Sequence, residues 1–287
     1  MKANLYALAA IALWASLAAL GVSLTHVPPL LLTGIALIIG SLLAWPSVAR
    51  NPSAWRVKPL VLALGVFTLF GFHFLLFMGL RLAPAVEVNL VNYLWPLFIV
   101  VLAPLYLAGV KLRAVHAVAA VVGFAGAAIA ILGGRGSGAA AGPAFAQPVL
   151  GYALALGSAL IWANYSLQTK RLEVAGQGFP TTAIGLFGLV SGVLSLLCHW
   201  ALEPSVVLTG RDWLLLTLMG LGPLGAAFFL WDKALKLGDA RHIGILSYLT
   251  PLSSTILLMV VTGRALTWPI ALAATLIIGA ALVGTRK

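Results

Sequence analysis

Apolar stretches of about twenty residues, the length a bilayer-crossing helix takes, recur ten times along this chain. They lie at 3–23, 28–47, 59–80, 84–107, 114–132, 147–169, 179–201, 212–235, 241–262 and 267–284. Only 8% of the 287 residues are charged, against about 25% in a soluble domain, so water cannot be the main solvent of the folded chain. The apolar runs lack the alternation of a membrane β-barrel strand. The fold expected is an all-α membrane protein of ten transmembrane helices.

The net charge of +11 raises the possibility of a nucleic-acid partner, and its distribution argues against one. With the N-terminus cytoplasmic, thirteen of the 17 basic residues fall inside and only Arg81, Arg135, Arg211 and Arg264 outside. That bias is the positive-inside signature, and with an even number of spans it predicts both termini in the cytoplasm. The single cysteine, Cys198, excludes an internal disulfide and a cysteine-built metal cage. Lys2 followed by an apolar run loosely fits a signal peptide, but the repeat described next argues that this span is retained.

Residues 65–97 slide onto 220–252 without a gap. Tyr93-Leu94-x-Pro96-Leu97 meets Tyr248-Leu249-x-Pro251-Leu252, Arg81 meets Lys236, and Leu13-Trp14-Ala15 resembles Ile161-Trp162-Ala163. The expected organisation is a first five-helix repeat at 1–134, a linker at 135–146 and a second repeat at 147–287. The linker falls in the stretch GGRGSGAAAGP, which lacks the Lys-Ser/Thr of a phosphate loop. An odd number of spans per repeat inverts the second relative to the first. Inverted repeats of this kind build alternating-access transporters with a site near the midplane.

Read as one helix, the fourth span places Asn89, Asn92, Tyr93 and Pro96 on a single stripe. Lipid offers amides no partner, so the stripe faces protein or a wet cavity. Inter-helix hydrogen bonding and a substrate wall both fit. The wall is favoured for Asn92 and Tyr93, with Ser247 and Tyr248 at the matching places, and Asn89 stays open between the two readings. Pro96 and Pro251 each remove a backbone hydrogen bond and are the candidate hinges. Trp14, Trp95, Trp162 and Trp231 lie inside spans, where an indole seeks an N–H partner. As a set they suggest a cavity lining that offers stacking and cation–π attraction. His73 and Phe77 sit one turn apart on the third span, and His73 reads either as a satisfied core histidine or as a binding group. Glu87 suits a first helical turn, and Asp232 with Lys236 suits an anchoring ion pair. Gly123, Gly188, Gly192 and Gly279 suit close helix packing. No catalytic constellation and no metal-ligand spacing is present, so neither an enzyme nor a cofactor is expected.

Ten spans in two inverted halves, with Tyr-Leu-x-Pro in the fourth and ninth, resemble the drug/metabolite transporter superfamily. Within it, Asn92-Tyr93-Leu94-Trp95-Pro96 following Glu87 is similar to the aromatic amino acid exporter YddG group. The resemblance implies a monomeric carrier in the bacterial inner membrane, surrounded by lipid, that exports aromatic and other neutral amino acids. It also implies a cavity lined from spans 1, 3, 4, 6, 8 and 9, which carry Trp14, His73, Phe77, Asn92, Tyr93, Trp162, Trp231, Ser247 and Tyr248. The chain departs from common superfamily patterns at Gly109-Val110-Lys111, where many members carry a glutamate, and in lacking an arginine in the second span. Export of small apolar metabolites or drugs is the alternative. A nucleotide sugar would need deep cationic side chains that the spans do not supply.

Overall fold

The structure, a computed structural model, describes residues 2–133, 147–262 and 268–284; the 135–146 linker lies outside the described residues. Every regular element among them is helical. In chain order these are α1 (Lys2–Val22), α2 (Pro29–Ser41), α3 (Trp45–Arg50), α4 (Pro59–Leu82), α5 (Ala85–Asn92), α6 (Trp95–Tyr106) and α7 (Ala114–Gly133). There follow α8 (Pro148–Val174), α9 (Ala183–Leu202), α10 (Gly210–Leu221), α11 (Ala227–Leu237), α12 (Ala240–Leu246), α13 (Leu249–Thr262) and α14 (Trp268–Gly284). Among the described residues, seven stretches are long and apolar enough to cross a membrane: Lys2–Gly21, Pro29–Arg50, Pro59–Leu82, Glu87–Tyr106, Pro148–Val174, Ala183–Leu202 and Gly210–Leu237. Ala114–Ile129 and Trp268–Val283 are shorter apolar helices.

Local sequence sets where helices begin and break. Pro29, Pro59 and Pro148 start α2, α4 and α8, where a missing N–H costs nothing. Thr209 and Asp212 close a capping box on α10. The fourth apolar run is two helices, not the single one its spacing predicts: α5 ends at Asn92 and α6 begins at Trp95. The ninth run breaks at the matching place, between Leu246 and Leu249. In each case a proline follows within three residues of the break. Its ring crowds the carbonyl one turn earlier and its nitrogen cannot donate. At the second break the Ser247 carbonyl is not left free, because it accepts the Thr250 N–H at 2.9 Å. A further irregularity interrupts α10–α11, where Gly222–Ala226 form a π turn containing Pro223.

The helices pack in corresponding pairs. α2 lies on α9 and α7 on α14. α4 packs on α8 as α11 does on α1, α4 on α9 as α10 does on α2, and α6 on α8 as α13 does on α1. Glycines admit the closest of these approaches. A Cβ on Gly40 would sit 2.8 Å from both the Gly220 carbonyl oxygen and the Gly225 Cα. Gly192 meets the Gly34 carbonyl at a similar distance, and Gly123 lies under the Tyr248 ring. Gly279, by contrast, has nothing within 4 Å of such a Cβ, so its expected role in close packing is not seen.

Polar anchors hold the two ends of α9. At its C-terminal end the fully buried Glu203 carboxylate accepts from Arg81 Nη2 at 2.6 Å, His199 Nδ1 at 3.0 Å, Leu30 N at 3.1 Å and Leu31 N at 3.2 Å. It thereby caps the start of α2, where the helix dipole favours an anion. Beyond the other end of α9, Lys236 Nζ donates to the Phe179 carbonyl at 2.6 Å and to Asp232 Oδ2 at 2.7 Å, and Thr181 donates to the same carboxylate oxygen at 2.6 Å. Arg81 and Lys236, aligned in sequence, therefore stand at opposite ends of the bundle.

Gly40→Val should destabilise the fold by about 1–3 kcal/mol through backbone overpacking, and Gly279→Ala should be close to neutral. Thermal unfolding of the purified variants in detergent checks both.

Candidate functional site

Four indoles meet at mid-bundle. Trp14 comes from α1, Trp95 from the start of α6, Trp162 from α8 and Trp231 from α11. All six pairs are in ring contact: Trp14–Trp231 at 5.3 Å, Trp95–Trp231 at 5.5 Å, Trp14–Trp162 at 5.8 Å, Trp95–Trp162 and Trp162–Trp231 at 6.3 Å, and Trp14–Trp95 at 6.5 Å. Most meet edge to face or tilted, as the ring quadrupole prefers, while Trp162 and Trp231 are close to parallel. Trp231 is fully buried and donates from Nε1 to Ser166 Oγ at 3.2 Å. Trp14 Nε1 donates to the Pro223 carbonyl at 3.1 Å, so the π turn supplies the acceptor that this indole seeks.

A cavity of about 680 Å³ stands on this cluster. It runs from Thr25, Val27 and Pro29, at the Glu203 end, down to Trp14, Trp95 and Trp162. Phe72, His73, Phe77 and Phe228 give it an aromatic wall, and Asn89, Asn92 and Tyr93 a polar one. Among the described residues its lining holds no Asp, Glu, Lys or Arg. Asn92 Nδ2 donates to Ser158 Oγ at 2.6 Å, which ties α5 to α8 and fixes the orientation of the amide. His73 Nδ1 lies 2.6 Å from the Leu69 carbonyl. A carbonyl only accepts, so Nδ1 carries the proton, and in the neutral ring Nε2 is an acceptor. His73 thus joins the two readings open for it: its backbone bond is satisfied, and its ring lines the cavity against Phe77 at 6.1 Å and Phe228 at 6.2 Å.

Trp14, His73, Phe77, Asn92, Tyr93 and Trp162 come together in this wall, and Trp231 lies directly beneath it. Ser247 and Tyr248 do not. The Ser247 hydroxyl donates back to the Gly244 carbonyl at 2.6 Å, and the fully buried Tyr248 ring packs with Ala127, Leu252, Ile270 and Ile277. Pro96 is buried beside the first helix break, and Pro251 lines the cavity beside the second. Sequence reasoning missed Phe72, Phe228, Pro223 and Thr33. Only Pro223 carried a usable signal, a Gly-Pro pair inside an apolar run.

The EamA-like transporter family matches twice along the chain, over residues 1–132 and 149–285. The chain belongs to the EamA-like transporter family. It is a transporter rather than an enzyme, and a multi-pass membrane protein. Aromatic amino acid exporter YddG of Ancylobacter novellus is 40% identical over 293 residues, covering 99% of this transporter and 97% of the relative. A solved crystal structure superposes with a TM-score of 0.89 at 38% identity, covering 99% of this chain and 98% of that one.

Ser166→Ala would strand the buried Trp231 N–H and should cost about 1–2 kcal/mol, whereas Ser166→Thr keeps the acceptor and should stay near wild type. Unfolding followed by tryptophan fluorescence distinguishes them.

Proposed function

We propose that this protein is a secondary transporter that exports aromatic, and other neutral, amino acids across the bacterial inner membrane by alternating access. The observation that carries this reading is the cavity above the indole cluster: aromatic walls for a ring, amide and hydroxyl groups for a zwitterion, and no fixed net charge to discriminate against one. The exporter relative from Ancylobacter novellus, similar over nearly its whole length, supports the same substrate class.

In this reading ten spans form two inverted five-helix halves, 1–134 and 147–287, joined by the 135–146 linker. Three features support the inversion: the corresponding packing pairs, the matched helix breaks, and the placement of Arg81 and Lys236 at opposite ends of α9. The basic residues gather at the Lys236 end, which the positive-inside rule places in the cytoplasm together with both termini. The cavity then faces outward, and the indole cluster closes the cytoplasmic side. Phe77, His73, Trp14 and Trp162 receive the substrate ring, while Asn92 and Tyr93 receive its charged groups. Trp231 seals the floor. Ser247 and Tyr248, the repeat mates of Asn92 and Tyr93, serve the state that faces the other way, and Pro96 and Pro251 are the hinges between the two states. The carrier works as a monomer.

Proteoliposomes loaded with labelled tryptophan should lose label faster than protein-free vesicles, saturably, and faster still with unlabelled tryptophan on the opposite side. A loss that neither saturates nor accelerates would indicate a channel instead. Competition by apolar drugs but not by amino acids would favour the drug-exporter alternative. Phe77→Ala should raise the KM for tryptophan by about 5–10-fold, the equivalent of about 1–1.5 kcal/mol of ring contact, with expression unchanged.

A further inference from the structure

A second cavity, of about 690 Å³, lies at the Lys236 end of the bundle. It is walled by the last turn of α8, the end of α6 and the α11–α12 connection, with Tyr106, Lys170, Arg171 and Asp239 as its polar lining. The indole cluster separates it from the aromatic cavity, so it belongs to the opposite approach path.

The charges of this vestibule are unevenly matched. Both carboxylate oxygens of Asp239 are already held by Arg241, from Nε at 3.1 Å and from Nη2 at 2.6 Å, and Arg241 Nη1 also donates to the Lys111 carbonyl at 2.9 Å. The one anion in the lining is therefore neutralised. The two cations are less fully matched, Lys170 feeling the Asp239 and Glu173 carboxylates only through space. Arg171 is exposed, and Lys170 Nζ has as its hydrogen-bond partner a neutral group, the Lys236 backbone carbonyl, at 3.0 Å. An ammonium bonded to a carbonyl gains less than one bonded to a carboxylate, because charge-assisted bonds are about twice as strong. The vestibule thus presents an ammonium hydrogen-bonded to a carbonyl rather than to a carboxylate at the mouth that an exported molecule must enter.

The position of the Lys170 bond adds a second consequence. It runs from α8 to α11, the same two helices that bring Trp162 and Trp231 into near-parallel contact and that share the Trp231–Ser166 bond. Lys170 lies one helical turn beyond Ser166 on α8, and Lys236 lies five residues after Trp231 on α11. The Lys170 latch and the indole seal therefore hold the same pair of helices together.

Building on the transport reading, we propose that this vestibule is a receiving site for the carboxylate of an amino acid substrate, with Lys170 as its specificity-determining group. An arriving carboxylate takes the Lys170 ammonium in exchange for the Lys236 carbonyl. Recognition of the substrate and release of the α8–α11 latch are then one exchange of hydrogen-bond partners. No covalent step is involved. Arg171 adds attraction at the rim without being part of the latch.

The test compares tryptophan with tryptamine, which keeps the ring and the amine and lacks the carboxylate, each supplied on the Lys236 side of proteoliposomes. Wild type should show a KM for tryptophan about tenfold below that for tryptamine. Lys170→Met should raise the tryptophan KM to the tryptamine value while moving the tryptamine KM less than twofold, and Lys170→Arg should restore the preference. Retained tryptamine transport shows that the Lys170→Met variant is folded. If Lys170→Met changes both compounds equally, or leaves their ratio untouched, Lys170 is a structural latch only and the proposal is overturned. A wild type that transports neither compound overturns the transport reading itself, and this proposal with it.

Discussion

The contact on which the architecture turns is the meeting of four indoles at mid-bundle. Each comes from a different helix, and those helices belong to both halves of the sequence. Large rigid rings that touch in every pairing stand at the floor of the aromatic cavity. Where they are buried they also have to be supplied with hydrogen-bond acceptors, because an unpaired buried N–H is costly. Pro223 and Ser166 meet that need for Trp14 and Trp231. Much of the local irregularity around the cluster follows from this requirement.

Helix α9 plays the complementary part of a post. At one end the Glu203 carboxylate gathers Arg81 from α4, His199 from α9 itself and the first amides of α2. At the other end the Phe179 carbonyl and the Thr181 hydroxyl hold Lys236 and Asp232 from α11. The two helices that are repeat mates are tethered to one post at opposite ends. A motion that tilts one relative to α9 therefore has a different pivot from a motion that tilts the other.

The helical class and the rough element positions were legible in the sequence, because apolar length acts locally; Pro96 and Pro251 marked where the fourth and ninth runs are perturbed, but not that each run is two helices. The meeting of Trp14 with Trp162 was legible as a repeat relationship. The cavity wall was legible in its first-half members and not in Ser247 and Tyr248. Asn92 and Tyr93 line the cavity while their aligned counterparts Ser247 and Tyr248 do not, yet Trp14 and Trp162, also aligned, both line it, so correspondence in sequence does not tell which positions face the cavity. Glu203 passed unnoticed for a different reason. Its partners Arg81, Leu30 and Leu31 are more than a hundred residues away, and no spacing rule connects an acidic residue after one helix with the amides that begin another. Phe72 and Phe228 were missed because an aromatic residue in an apolar run carries no mark of which way it faces.

The π turn at Gly222–Ala226 has a geometric effect beyond the carbonyl it offers to Trp14. Successive residues of an α-helix are rotated by about 100°, so a wide turn shifts the angular phase of everything that follows it. Its repeat mate α4 runs without interruption from Pro59 to Leu82. The two helices therefore match residue for residue and still present different azimuths after the turn. Trp231 reaches the bundle axis on the rotated stretch, where the unrotated partner carries only Leu76 at the equivalent position. The two aligned stretches are therefore not interchangeable as parts: grafting the α4 sequence into α10–α11 would swing the following side chains around the helix and unseat the indole that closes the floor.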